Sequence, residues 1–142
     1  MSTCTFFGHR YAPKEIEPAL RSVLLDLIEN KGVKTFYVGN HGGFDAMAQR
    51  ILRDFAARYS IVCFVVLAYM PKNKGSNDYV WDTILPDGIE TVPKRFAISY
   101  RNKWMIQKSD FVVTYVDHKI GSGAAQFKSL AEKRGKIVIE VS

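Results

Sequence analysis

The sequence predicts one α/β domain in which a doubly wound parallel sheet of five strands, in the order 3-2-1-4-5, carries helices on both faces. Short runs of β-branched and aromatic residues alternate with stretches of helical periodicity, which is the pattern of successive βαβ units. The length of 142 residues and the apolar content of 47% suit one domain with a sizeable core. Right-handed crossovers between parallel strands then leave one simple layout.

The predicted strands are short and apolar, and the third is nearly free of polar residues, as expected for a strand covered on both faces. They comprise residues 3–7, 35–38, 60–68, 111–115 and 137–141. In this layout the strand order reverses between the first and fourth strands, and open α/β sheets bind their ligands at such a point. We therefore expect a ligand between the loop at 8–10 and the loop at 116–123.

Four helices are predicted between the strands, and the second is the most regular. Its apolar residues recur at the spacing of one helix face; they are Phe44, Met47, Ala48, Ile51, Leu52 and Phe55. The first helix begins near Pro13 and Pro18, since proline is tolerated in the first turn, and it ends before Gly32. The third and fourth helices are predicted at 93–108 and 124–134.

The segment 69–91 is predicted to be irregular, because prolines and glycines interrupt it. It also carries the large aromatic side chains of Tyr69, Tyr79 and Trp81. Loops of this length are uncommon in a compact domain unless they bind something. We interpret the segment as a lid over a ligand or as an oligomer contact, and we place Trp81 among the ligand-binding residues.

The charge balance favours a phosphate-bearing partner. There are 20 basic and 14 acidic side chains, a net charge of +6, which suits a nucleotide or a nucleic acid without distinguishing them. No apolar run approaches the ~20 residues of a membrane span and no leader is evident, so we expect a cytoplasmic protein. Cys4 and Cys63 lie in apolar runs without metal-binding or redox spacing. Neither a metal site nor a cofactor is predicted.

Glycine-rich turns follow three of the predicted strands at one edge of the sheet. The second has three glycines in five residues, more than one turn requires. The third opens a helix, where backbone N–H groups and the helix dipole favour a phosphate. The candidate ligand-binding residues are Gly8, His9, Arg10, Gly39, Asn40, His41, Gly42, Gly43, Asp45, Trp81, Arg101, Asn102, Gly121, Ser122, Gly123, Ala124 and Gln126.

Arg101 is the most informative of these residues, because helical periodicity turns it toward the apolar interior. A buried guanidinium requires an anionic partner, which a phosphate would supply. Its stem could instead pack while its head reaches solvent, or it could pair with Asp110 or Asp117. His9 has a structural alternative as a hydrogen-bonding residue, and the turn at 121–123 has one as a plain tight connection. His41 lacks a visible partner for general-base chemistry, so no catalytic residue is predicted.

Three motifs resemble the YpsA-like branch of the SLOG superfamily. They are T-C-T-F-F-G-H-R at 3–10, F-Y-V-G-N-H-G-G-F-D at 36–45, and the segment 101–127 with R-N-K-W-M, S-D-F-V-V-T-Y and G-S-G-A-A-Q-F. The resemblance spans nearly the whole chain and implies a Rossmann-like fold that recognises nucleotides or their derivatives. Relatives hydrolyse nucleotides, bind DNA or sense nucleotide second messengers, and they are commonly dimers. We therefore expect at least a dimer.

Within this superfamily the Lonely Guy phosphoribohydrolases carry an arginine that Arg101 matches and a P-G-G-x-G-T-x-x-E turn. Here Ile120 replaces the proline, Ala124 the threonine, and Gln126-Phe127 fills the region of the glutamate. A glutamine cannot act as the acid or the carboxylate stabiliser in cleavage of an N-glycosidic bond. The resemblance therefore implies binding with no turnover.

The predicted function is that of a sensor or sponge that binds a nucleotide-derived small molecule, such as an ADP-ribose-like or cyclic nucleotide signal. The first alternative is a hydrolase that cleaves a nucleotide N-glycosidic or phosphate bond with Asp45 or Asp78. The second is a nucleic-acid-binding module. It ranks behind the others because the basic residues are dispersed along the chain and few aromatic residues interleave with them.

Overall fold

The computed structural model describes residues 2–70, 81–116 and 123–141, and in them one parallel sheet carries four helices. The strands are β1 (Thr3–Gly8), β2 (Thr35–Val38), β3 (Val62–Val66), β4 (Asp82–Ile84), β5 (Phe111–Tyr115) and β6 (Ile137–Glu140). The helices are α1 (Glu17–Glu29), α2 (Gly43–Ala56), α3 (Ala97–Lys108) and α4 (Gly123–Lys133). Short 3-10 turns occupy Lys14–Ile16, Ile89–Thr91 and Lys94–Phe96.

The sheet has six strands in the order β4-β3-β2-β1-β5-β6, which corrects the predicted count of five and the predicted order. The additional strand, β4, lies within the segment 69–91 that the sequence indicated to be irregular. Its three residues pair in parallel with β3, Phe64 opposite Asp82 and Val66 opposite Ile84. A strand this short has no periodicity of its own, so its pairing depends on the exposed edge of β3. With β4 in place β3 is an internal strand, as its apolar composition indicates.

Helices cover both faces of the sheet. Successive residues of each strand point to opposite sides, so each strand contributes to two cores. In β1, Phe6 packs in a core with α1 and α2, whereas Phe7 packs in a second core with α3 and α4. The first core includes Leu20, Leu24, Leu27, Phe44, Ala48, Ile51 and Leu52, and the second Met105, Ile106, Phe127 and Ala131. The predicted apolar face of α2 is thus the buried one. A Rossmann-like α/β fold results.

The four helices serve as layers on the sheet. Within the parts of the chain that the structure describes, none combines the length and the apolar character that crossing a membrane demands.

Candidate nucleic-acid interface

A pocket of about 290 Å³ opens at the carboxyl edge of the sheet, where β1 and β5 lie side by side. The strand order reverses at this pair, since β2 adjoins β1 on one side and β6 adjoins β5 on the other. The pocket is lined by Phe6, Phe7, Gly8, His9, Arg10, His41, Asp45, Ile98, Arg101, Asn102, Met105, Gly123, Ala124 and Phe127. The turns after β1 and β2 and the first turn of α4 therefore meet here.

Close backbone packing explains the glycines of the first two turns. Gly42 has a φ of 95°, and a Cβ atom added to it would lie 2.6 Å from the Cα atom of Arg10. The N–H of Gly43 donates a hydrogen bond to the carbonyl of Arg10. At Gly8 an added Cβ atom would overlap the ring of Phe44. Without side chains, these glycines allow the turn after β1 to pack directly against the start of α2. Their role in the pocket is to position its backbone.

Arg101 reaches the pocket from α3 and is 3% exposed. Its Nε donates to Asn102 Oδ1 at 2.8 Å, and its Nη1 donates to the Val66 carbonyl at 3.0 Å and to Asn40 Oδ1 at 3.3 Å. Burial lowers the pKa of Arg101 from its ordinary value, although a guanidinium keeps its charge in proteins. The guanidinium is thus held in a fixed orientation by neutral acceptors.

Asp45 is the carboxylate that interacts electrostatically with Arg101. It is 8% exposed. Asp45 Oδ2 accepts a hydrogen bond from the His41 N–H at 3.1 Å. Burial raises the pKa of Asp45 to about 6, while the Arg101 charge and the His41 hydrogen bond act in the opposite direction. Of the alternatives considered for Arg101, Asp110 instead accepts from the Thr3 N–H at 3.1 Å, and Asp117 lies outside the described residues. Sequence periodicity placed Arg101 inside but did not identify Asp45 as its neighbour.

The two histidines of the pocket differ in exposure, because His9 is buried and His41 is partly exposed. Burial lowers the pKa of His41, and the charges of Arg101 and Arg10 lower it further, so His41 is neutral at pH 7. His9 is 3% exposed and meets the ring of Tyr115 edge to face, at 5.5 Å between ring centroids. His41 therefore adds no positive charge to the pocket at pH 7, whereas Arg10 and Arg101 keep their charges.

Three aromatic side chains in segments at the carboxyl edge of the sheet are exposed, and two of them lie beside cations. The guanidinium of Arg95 lies 4.8 Å from the ring centroid of Phe96, which is 52% exposed. Lys94 Nζ lies 5.6 Å from the ring centroid of Tyr69. Tyr11, the neighbour of Arg10, is 72% exposed.

These pairs share the carboxyl edge because of the direction of the chain. Tyr11 follows β1 and Tyr69 follows β3. The residues Lys94–Phe96 precede α3, which returns the chain to the start of β5 and so begins at the carboxyl edge. We name the group Arg10, Tyr11, Tyr69, Lys94, Arg95 and Phe96 the cationic aromatic edge.

The other predicted site residues have different surroundings. The indole of Trp81 packs against the first core, and its Nε1 donates to the carbonyl of Gln49 in α2 at 3.4 Å. Trp81 is therefore not among the pocket residues, contrary to its interpretation as part of a lid. Gln126 is exposed on α4. Gly121 and Ser122 lie outside the described residues, as do Asp78 and Tyr79.

The fold and the pocket define a Rossmann-like α/β domain with a basic crevice at its topological switch point. A search of solved structures finds similarity to DNA processing protein A from Helicobacter pylori, in a structure described for its single-stranded DNA-binding mode. The TM-score is 0.61 and the identity 17%, and the match covers 98% of this chain and 64% of the other. This chain thus spans less than two thirds of that chain. No family model matches the sequence, and no curated protein does.

At this identity the similarity establishes the fold alone. Membership of the YpsA-like branch stays a prediction. The expectation of a sensor or sponge for a nucleotide-derived small molecule is corrected, because the solved protein with the similar fold binds single-stranded DNA. The nucleic-acid alternative, which the sequence ranked lower, is the better supported one. The expected dimer stays a prediction.

Proposed function

We propose that this chain is a single-stranded nucleic-acid-binding domain and that the strand lies along the cationic aromatic edge. The observation that carries the proposal is the pairing of exposed aromatic rings with cations at the carboxyl edge of the sheet, above all Phe96 with Arg95. Proteins that bind single strands combine a basic track for the phosphates with aromatic faces for the bases. The described function of DNA processing protein A supports the same interpretation.

The electrostatics of this edge suit a polyanion. Arg10, Lys94 and Arg95 are exposed to solvent there. Of the described residues that line the pocket only Asp45 is acidic, and it is buried beside Arg101. Cations that neutralise phosphates release condensed counterions, so the affinity should fall steeply as salt is added.

The exposed aromatic residues favour single-stranded over duplex nucleic acid. Phe96 and Tyr11 are both largely exposed, and stacking on such a ring requires a base that is not already stacked in a duplex. Each stacked base typically contributes about 1 to 3 kcal/mol to binding. A duplex could use the cations but not the rings, so it should bind more weakly.

The test is a fluorescence anisotropy titration with a labelled 12-nucleotide dT strand and with a duplex of equal length. We expect tighter binding of the single strand, and we expect Phe96→Ala to weaken it by about 5- to 150-fold, in line with the loss of one stacking contact. Arg95→Ala should reduce the slope of log K against log salt by about 0.7, the value for one phosphate on a single strand.

The matched controls lie at the amino edge of the sheet, away from the proposed strand. Ile137 is 55% exposed at the start of β6, and Arg134 is exposed just before it. Ile137→Ala and Arg134→Ala should therefore leave the affinity and the salt slope unchanged. Equal binding of single strand and duplex, or equal losses in the control variants, would contradict the proposal.

A further inference from the structure

A second pocket, of about 200 Å³, opens at the carboxyl ends of β3 and β4. Its deep part is apolar, with Ile89 and Ala97 almost completely buried. Tyr69 and Met70 line it nearer to solvent, at 37% and 64% exposure. Two charged residues, Glu90 and Lys94, complete the lining and are exposed. The result is an apolar recess with one carboxylate and one ammonium group at its mouth.

This recess adjoins the first pocket across the first turn of α3. Ala97 lines the second pocket and Ile98 lines the first. Successive side chains of an α-helix point about 100° apart, so these two neighbours face the two pockets from one turn. Phe96 directly precedes them and is the exposed ring of the proposed interface. A strand that stacks on Phe96 therefore passes the mouths of both pockets.

We infer that the second pocket receives one nucleobase of the bound strand and that Glu90 and Lys94 make guanine the preferred base. The inference rests on the proposed function and adds base selection to it. The pocket is smaller than the ~300 to 1,000 Å³ of sites for drug-sized ligands, so its size suits a ring system more than a whole nucleotide. Its apolar depth and its two polar groups match the general composition of a small-molecule pocket.

The choice of guanine follows from the hydrogen-bonding groups of the bases. Guanine presents two adjacent donors, its N1–H and its amino group, which the Glu90 carboxylate can accept together. Its neighbouring O6 is an acceptor for the ammonium group of Lys94, which also lies over Tyr69. Thymine presents one N–H between two carbonyl oxygens, so a carboxylate would face a carbonyl. Adenine and cytosine offer one amino group and rank between the two.

The experiment compares a 12-nucleotide dT strand with the same strand carrying one central dG, by fluorescence anisotropy at fixed salt. One well-formed pair of hydrogen bonds to a base edge commonly changes affinity by about 5- to 150-fold. We expect the dG strand to bind wild-type protein about tenfold more tightly. Glu90→Gln should bring this ratio close to one, because it removes the carboxylate and leaves the side-chain shape.

The matched control is Glu132→Gln, since Glu132 is also exposed and lies in the last turn of α4; this variant should keep the tenfold ratio. A wild-type ratio of one with tight binding of the dT strand overturns the inference and leaves the proposed function intact. A ratio that Glu90→Gln does not change also overturns it, because the preference then arises elsewhere. Absence of any single-strand binding overturns the proposed function, and the inference with it.

Discussion

Asp45 and Arg101 approach each other across the backbone of Gly39, at the end of β2. A Cβ atom built at residue 39 would lie 2.7 Å from Asp45 Oδ2 and 2.9 Å from Arg101 Nη1. The carboxylate comes from α2 on one face of the sheet and the guanidinium from α3 on the other. The absence of a side chain at residue 39 therefore lets two helices on opposite faces place opposite charges at one point of the pocket.

The first prediction concerns this glycine. Gly39→Ala should lower the free energy of unfolding by about 1 to 3 kcal/mol, because the added methyl group displaces two buried charged groups. Urea denaturation measures the change. Gly123→Ala is the control, since an added Cβ atom there comes no nearer than 4.0 Å to another residue. A Gly39→Ala variant as stable as the wild type would show that the two side chains can move apart freely.

The second prediction concerns Arg101. Arg101→Met should lower the free energy of unfolding by about 1 to 3 kcal/mol, because the buried carboxylate of Asp45 loses the nearby positive charge. The acceptors Asn40, Asn102 and the Val66 carbonyl also lose their donor. The double variant Arg101→Met/Asp45→Asn should recover part of the loss, and a double-mutant cycle measures the coupling. Arg134→Met is the exposed control, and additive effects in the cycle would refute the coupling.

The third prediction concerns pH. The folded pKa of Asp45 is raised to about 6 from an ordinary 3.8, so between these values the folded state binds more protons than the unfolded state. The contribution of Asp45 to stability is therefore greatest below pH 4 and is lost as pH rises through 6, a change of up to about 3 kcal/mol.

His41 acts in the opposite direction, because its folded pKa is lowered and stability rises as pH rises through its range. Arg101 acts on both groups and Arg10 on His41, and both arginines stay charged throughout. The measurement is therefore the difference between wild type and Asp45→Asn in the free energy of unfolding from pH 4 to 7. Relative to Asp45→Asn, the wild type should lose stability as pH rises. A difference that does not vary with pH would show that the pKa of Asp45 is not raised in the folded state.

The fourth prediction concerns Trp81. Its indole packs on the first core and donates to the carbonyl of Gln49. The emission of Trp81 in a Trp104→Phe background should therefore stay unchanged when a dT strand saturates the protein, while the anisotropy of the labelled strand rises. A shift in emission that follows the binding curve would show that the bound strand changes the surroundings of Trp81, and the prediction would be wrong.

The sequence by itself determined the elements that have their own local pattern. The apolar face of α2 and the runs that form β1, β2, β3, β5 and β6 are visible without tertiary structure, because each buries enough apolar surface to leave a periodic signal. The same periodicity turned Arg101 inward, and the predicted reversal of strand order between the first and fourth strands indicated the crevice between β1 and β5.

Only the tertiary structure decided what depends on neighbours distant in the chain. The three residues of β4 become a strand because β3 offers an unpaired edge, and Trp81 is held by α2. Asp45 meets Arg101 because two helices reach the end of β2 from opposite faces. The basic residues are dispersed along the chain, yet the segments that carry Tyr11, Tyr69 and Phe96 all lie at the carboxyl edge, where Lys94 lies over the ring of Tyr69. Parallel strands bring those loops to one edge, and a linear pattern cannot show that juxtaposition.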